Sequence, residues 1–317
     1  MKRLLLAVVL AFAPASAFAQ AAAPAPAAAP AAAPTAAAPL PDADPALWVV
    51  RDADTTIYLF GTFHLLDGRP WFNDEVKTAF DSSNELVVEV LLPEDQAAQV
   101  QVMQPLIMRY AIDPQGRTIS SRLTAEQNQK LNATLSRLGA PAGAFDRFEP
   151  WFLMLTLANA AAQQVGLNPQ FGPETILRRA ATERNIAQGE LETIESQLQI
   201  FDNIPEADQL RGLREALDDG EELGRKLAPM LEAWSTGNAE RLAEILNEDL
   251  TDDRALYDAI FTNRNANWAR WIQARLARPG TVFMAVGAGH LAGRGSVQEQ
   301  LRAMNIASAR VPHAEAN

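Results

Sequence analysis

The sequence predicts an α/β fold: a central mixed or mostly parallel sheet with large helical insertions. Residues 56–60 and 281–286 are apolar, partly β-branched runs short enough to be buried strands. Residues 172–184 read as a helix opened by Pro173, followed at once by a short strand at 186–191. Strand–helix–strand order of this kind belongs to a parallel sheet. The long stretches between carry helical periodicity, which supplies the insertions.

At the amino end, residues 1–19 read as a secretory signal peptide. Lys2 and Arg3 give a positive n-region, residues 4–13 an apolar h-region, and Ala17-Phe18-Ala19 a cleavage site before Gln20. The apolar run is short for a membrane span. The expected protein is therefore periplasmic or secreted, with no stable membrane insertion after cleavage; an uncleaved anchor is the other reading. Residues 20–45 are an Ala/Pro-rich linker expected to be disordered and extended, since proline at this density blocks a continuous helix. Residues 46–306 suit one large domain, and 307–317 a C-terminal strand or tail. The chain has no cysteine, which excludes both disulfides and a lipid anchor on cysteine, so stability must come from the core. The formal charge of −12 becomes two units more negative when the signal is removed. That argues against nucleic acid or an anionic membrane as partner, as does the lack of a basic patch with interleaved aromatics.

Within the domain, residues 46–50 and 56–60 form an expected hairpin turning at Asp52-Ala53-Asp54. A helix follows at 73–81 and a strand at 86–90. Glu89 is an acid inside that apolar run, where it either faces solvent or needs a partner. Helical periodicity covers 93–109, 124–138 and 148–165, the last opened by Glu149-Pro150-Trp151 with Pro in the first turn. After the strand at 186–191 comes Glu192, then Thr193 as a helix cap with Ser196 and Gln197 in the first turn. Residues 206–234, 239–246 and 254–276 read as helical, with charges mostly on a solvated face. In the last of these, Arg264 and Trp268 share a face at i,i+4 spacing. A final helix from Ser296 carries Val297, Leu301 and Met304 on one side.

Both strand-like runs with histidines end alike. Gly61-Thr62-Phe63-His64 closes the first and Gly287-Ala288-Gly289-His290 the second; His313 is the third histidine and lies in the tail. With glycine at about 7% of residues, a glycine three places before both has a chance of roughly 0.5%, which favours a shared role over two strand-end histidines bonded to backbone. His64, His290 and Glu89, with Glu192 as a further candidate, are donor types used by borderline divalent ions. Such an ion would lower the pKa of a bound water, and another carboxylate could serve as base. There is no His-Glu-x-x-His, no Gly-x-Ser-x-Gly and no dinucleotide Gly pattern, so the fold itself must assemble the site.

Six pieces occur in order: Tyr58-Leu59-Phe60-Gly61-Thr62-Phe63-His64, Leu86-Val87-Val88-Glu89-Val90, Glu149-Pro150-Trp151, Leu191-Glu192-Thr193 followed by Gln197, Arg264-Asn265-Ala266-Asn267-Trp268, and Val286-Gly287-Ala288-Gly289-His290-Leu291-Ala292-Gly293. Together they resemble the TraB/GumN family, which also contains the Tiki-type metalloproteases. The resemblance implies an α/β core related to erythromycin-esterase-like and haem-binding ChaN-like folds. It implies metal-dependent peptide cleavage with Mn²⁺ or Co²⁺, and Zn²⁺ as a further option. It places His64, His290 and Glu89 at the metal, and makes Arg264, Asn265 and Glu192 site-lining residues. Phe63 and Glu149 depart from the family's usual isoleucine and lysine. The expected protein is a metal-dependent hydrolase of peptide bonds. Glu89 would be ligand or general base, Arg264 and Asn265 would polarise the carbonyl or hold the oxyanion, and Glu192 would orient a metal ligand from behind. The expected partner is a peptide or small-molecule substrate; the rival readings are a non-enzymatic periplasmic protein holding a peptide or haem in the same cleft, and motifs that serve the fold alone.

Overall fold

The structure is a computed structural model and describes residues 40–220, 222–250 and 254–313. The expected signal peptide and the linker up to residue 39 lie outside the described residues. The strands are β1 (Leu47–Arg51), β2 (Thr55–Thr62), β3 (Glu85–Val88), β4 (Ala187–Glu190), β5 (Gly280–Gly287) and β6 (Ser308–Arg310). They form one sheet in the order β4-β3-β5-β2-β1-β6. The four strands from β4 to β2 run parallel, while β1 is antiparallel to both β2 and β6. The sheet is thus mixed, with its parallel part covered on both faces as such sheets require.

The helices are α1 (Asp74–Asp81), α2 (Gln96–Tyr110), α3 (Ala125–Arg137), α4 (Pro150–Gln164), α5 (Pro173–Glu183), α6 (Ile194–Asp202), α7 (Glu206–Asp219), α8 (Glu222–Arg225), α9 (Ala228–Ser235), α10 (Ala239–Leu250), α11 (Arg254–Tyr257), α12 (Asn263–Leu276) and α13 (Val297–Ala303). Side-chain alternation along the strands splits the core in two. Phe60, Phe283 and Ala285 face the larger core, with Trp71, Phe80, Trp151 and Trp234. Ile57, Leu59, Val282, Met284 and Val286 face the smaller one, packed by Trp268, Ala269 and Ile272 of α12 and by Val297 and Leu301 of α13. The helical insertion has its own apolar seam of Leu131, Leu135, Leu153, Leu157, Leu213 and Leu217, contributed by α3, α4 and α7. The opposite side of α4, with Trp151, Met154 and Ala158, joins the larger core. That helix therefore ties the insertion to the sheet.

The structure corrects three readings. β3 ends at Val88, so Glu89 stands just past the strand rather than within it. Residues 206–234 are not one helical stretch: α7 stops at Gly220, which takes φ +53°, and α9 restarts with a proline in its first turn. Residues 254–276 are interrupted by a π-helical segment, Asp258–Thr262. The expected hairpin turn is present, with the Asp52 side chain accepting from the Asp54 and Thr55 amides. Among the described residues, no helix is long and apolar enough to cross a membrane.

Candidate active site

Each of the four neighbouring parallel strands delivers one polar side chain just beyond its carboxyl end. Glu192 follows β4, Glu89 follows β3, His290 follows β5 and His64 follows β2. This is the edge at which open α/β sheets bind ligands. Arg264, in the first turn of α12, reaches in among them. Its Nη2 donates to Glu89 Oε2 at 2.6 Å and to Glu192 Oε2 at 2.8 Å. Its Nε donates to Glu192 Oε1 at 2.9 Å, and its Nη1 lies 3.0 Å from His290 Nε2. The π segment comes immediately before α12, and the Ile260 carbonyl within it accepts from Arg264 Nη1 at 3.2 Å. π turns of this kind recur at functional sites because they change which side chains a helix presents.

The tautomer of His290 follows from its neighbours. Its Nδ1 is 2.6 Å from Asn265 Oδ1, and Asn265 Nδ2 donates to the Gly295 carbonyl at 2.8 Å. The amide nitrogen is thus spent on a carbonyl, so Oδ1 accepts and Nδ1 carries the hydrogen. Nε2 keeps its lone pair and accepts from Arg264. Burial, reinforced by the Arg264 cation, pushes the His290 pKa down to about 3. The rings of Trp268 and Phe261 flank the imidazole at 4.4 and 5.0 Å between centroids. His64 is partly exposed, and its Nδ1 pairs with Glu174 Oε1 at 2.6 Å. Burial alone would lower the His64 pKa, but the Glu174 carboxylate outweighs it and the net shift is upward.

Glu89 is buried and fully engaged. Oε1 accepts the Gly287 amide at 2.7 Å, and Oε2 accepts Gln197 Nε2 at 3.0 Å besides Arg264. Burial would raise its pKa, but Arg264, both histidines and the Gly287 amide together bring it down to about 2. Gln197 also donates to Glu192 at 3.0 Å, and Trp268 Nε1 donates to the other Glu192 oxygen at 3.0 Å. Gly287 lies at the meeting point of the donors. A Cβ there would be 3.3 Å from Glu89 Oε1, 3.5 Å from His290 Cδ2 and 3.8 Å from His64 Nε2. Thr62 is its partner in the sheet register, and the buried Thr62 hydroxyl has no hydrogen-bond partner among the described residues.

The fold thus brings together His64, Glu89, Glu192, Arg264 and His290. Asn265 stands behind His290 with both ends of its amide occupied, so it fixes the imidazole rather than facing a substrate carbonyl. Glu192 orients Arg264 and not a histidine. Glu174, Thr62 and the pivotal role of Gly287 escape a reading of the sequence, and Gln197 enters that reading as a first-turn residue and in the family resemblance, with no role at the site. Gln197 has a visible signal, being a polar residue on a helix face otherwise made of Ile194, Leu198 and Phe201. Glu174 has none, because an acid in a first helical turn is ordinary.

The donor set fits a borderline divalent ion in kind: two imidazoles, each with Nδ1 held and Nε2 turned inward, and one carboxylate. Their present spacing is wider than coordination, and among the described residues no three His, Asp or Glu side chains stand close enough to hold an ion. Arg264 takes the lone pairs of Glu89 Oε2 and His290 Nε2 instead.

Comparison with known proteins bears on the same span. The sequence model of the TraB/PrgY/gumN family matches residues 46–310. The uncharacterized protein YbaP of Escherichia coli (strain K12) is 28% identical over 189 residues, covering 60% of this chain and 70% of YbaP. An uncharacterized protein of Treponema pallidum (strain Nichols) is 24% identical over 270 residues, covering 80% of this chain and 79% of its own. No solved structure matches.

Proposed function

Because the chain belongs to the TraB/PrgY/gumN family, we propose that it is a hydrolase of peptide bonds, acting in the periplasm or outside the cell, with His64, His290 and Glu89 as holders of a divalent ion. The observation that carries this reading is the convergence of His64 Nε2, Glu89 Oε1 and the His290 ring around the missing side chain of Gly287. Mn²⁺, Co²⁺ or Zn²⁺ would supply Lewis acidity and a bound water of lowered pKa. The chain's own groups do the rest. Asn265 and Glu174 hold the imidazoles in one orientation, which leaves Nε2 of each for the ion. Glu89, with a pKa of about 2, is too weak a base to take a proton efficiently near neutrality, so its role is ligand rather than general base. Arg264 keeps its charge throughout, holds Glu89 ionised, bonds Glu192, and is the group suited to a developing oxyanion.

A second reading rests on the Arg264–His290 bond. That bond and an ion on His290 Nε2 exclude one another, and with Arg264 in place the pocket would hold a peptide or haem without turnover. The test is metal content. The untagged mature chain and His64→Ala are soaked in Mn²⁺, Co²⁺ or Zn²⁺, desalted and analysed by plasma mass spectrometry, and a peptide mixture is then assayed for cleavage. A stoichiometric ion in the native chain, lost in the variant, is the expected result. If both folded proteins come through without metal, the hydrolase reading fails and ligand titrations, with a Soret band as the sign of haem, take its place.

A further inference from the structure

We propose that Arg178 anchors a carboxylate of the substrate; this rests on the peptide-hydrolase reading above. Arg178 lies on α5, four residues after Glu174 and four before Thr182, so the three form one stripe along the helix. At one end of the stripe Glu174 holds His64. At the other, Thr182 Oγ1 donates to Glu94 Oε1 at 2.5 Å and accepts from Gln188 Nε2 at 3.0 Å. Glu94 belongs to the loop that leaves β3 through Glu89, and Val90, Leu91 and Leu92 of that loop pack against the larger core. Helix stripe and loop therefore run side by side from the His64–Glu89 end to the Thr182–Glu94 end. Arg178 is in the middle of that seam.

Its guanidinium has no hydrogen bond or ion pair among the described residues. Nε is shut off from solvent without a partner, and so is the Gln188 side-chain carbonyl oxygen. Arg264 is paired with Glu89 and Glu192, Arg275 with Glu85 and Arg122 with Asp113, while Arg310 donates to the Gly237 carbonyl and lies over the Trp48 ring. Arginine does not shed its proton in proteins, and a half-buried cation without a partner is costly. Burial holds the Arg178 pKa below the ordinary value, and Glu94 offsets this only in part, its carboxylate being bonded to Thr182. A planar guanidinium pairs best with a carboxylate through two parallel hydrogen bonds. One helical turn, about 5.4 Å, separates Arg178 from the residue that holds His64. The carboxylate is either a peptide's C terminus or an acidic side chain.

The test is equilibrium binding to the full chain, read by fluorescence anisotropy, with cleavage followed separately by chromatography. The probes are three pools of N-terminally labelled random hexapeptides: with a free C terminus, with a C-terminal amide, and with the amide plus Asp as the penultimate residue. The native chain should bind at least one carboxylate-bearing pool about tenfold more tightly than the plain amide pool, and added salt should shrink the difference. The pool that wins identifies the source of the carboxylate. Arg178→Ala should abolish the preference and Arg178→Glu should reverse it. Equal binding of all pools, no binding of any, or a preference that survives in Arg178→Ala overturns the assignment. Arg178→Met without ligand should melt no lower than the native chain; a clear loss of Tm would make Arg178 a structural residue and refute the proposal. A carboxylate preference without cleavage keeps Arg178 and refutes the hydrolase reading, whereas cleavage without preference does the reverse.

Discussion

A methyl group at position 287 would sit 3.3 Å from Glu89 Oε1 and 3.8 Å from His64 Nε2. The φ of Gly287 is −49°, which alanine adopts freely, so Gly287→Ala should fold with stability changed by about 1 kcal/mol or less. It should nevertheless weaken Mn²⁺ binding at least about tenfold, because the space between the donors is filled; calorimetric titration reads both sides of this. Charge at the same residues gives a second expectation for the metal-free chain. Glu89 falls from 4.5 to about 2 on folding, so its stabilisation is complete above pH 4.5 and is lost as pH drops through about 2. His290 falls from 6.5 to about 3, so the unfolded chain takes up its proton first, and stability declines as pH drops from 6.5 towards 3. His64 acts in the opposite sense, its stabilisation being present below pH 6.5 and lost above its raised pKa. Urea unfolding of His290→Gln with a chelator present should show a flatter decline between pH 6.5 and 3 than the native chain. These residues were legible one by one, as histidines at strand ends and an acid inside an apolar run. Their pairing with Arg264 was not, because 175 positions separate Glu89 from its guanidinium partner.

Two elements set the positions of these side chains. Gly172 caps α5 at its amino end, and a Cβ there would lie 2.2 Å from the His64 carbonyl oxygen. That oxygen is backbone and cannot swing aside. Gly172→Ala should therefore cost about 1–3 kcal/mol and push α5 away from His64. The Glu174–His64 pair would open with it, seen as an altered imidazole nitrogen shift by NMR as well as a lower Tm. The start of α6 carries Gln197 and is closed by a Thr193–Ser196 capping box. Thr193→Ala should destabilise the protein by about 1 kcal/mol, checked by denaturant titration, and leave His64 and His290 undisturbed. This cap was readable from sequence because capping is local: the groups that bond are three residues apart. The break after α7 carries a local signal, Gly220 followed later by Pro229, whereas the π segment before α12 carries none, and there only packing decides where the helix yields.

At the scale of the whole molecule, the two ends of the domain meet. β6 pairs with β1, the Val311 amide donates to the Leu47 carbonyl at 2.9 Å, and the Arg310 guanidinium lies 4.8 Å from the Trp48 ring centroid. Ending the chain at Ile306 would leave β1 as a bare edge strand. That truncation should lower Tm and expose residues 47–51 to limited proteolysis, whereas a chain ending at His313 should behave as the native one. Composition, hydrophobic period and the two Gly-x-x-His motifs determined by themselves that this is an α/β protein with its candidate site residues at strand ends. Such signals depend on neighbours a few residues apart, which the linear order preserves. Only the tertiary structure decided that four adjacent parallel strands place Glu192, Glu89, His290 and His64 along one edge. It alone put Arg264 between them and left Arg178 without a partner. Strand order and long-range charge pairing arise when separate elements pack, and no local pattern in the chain encodes which of them will be neighbours.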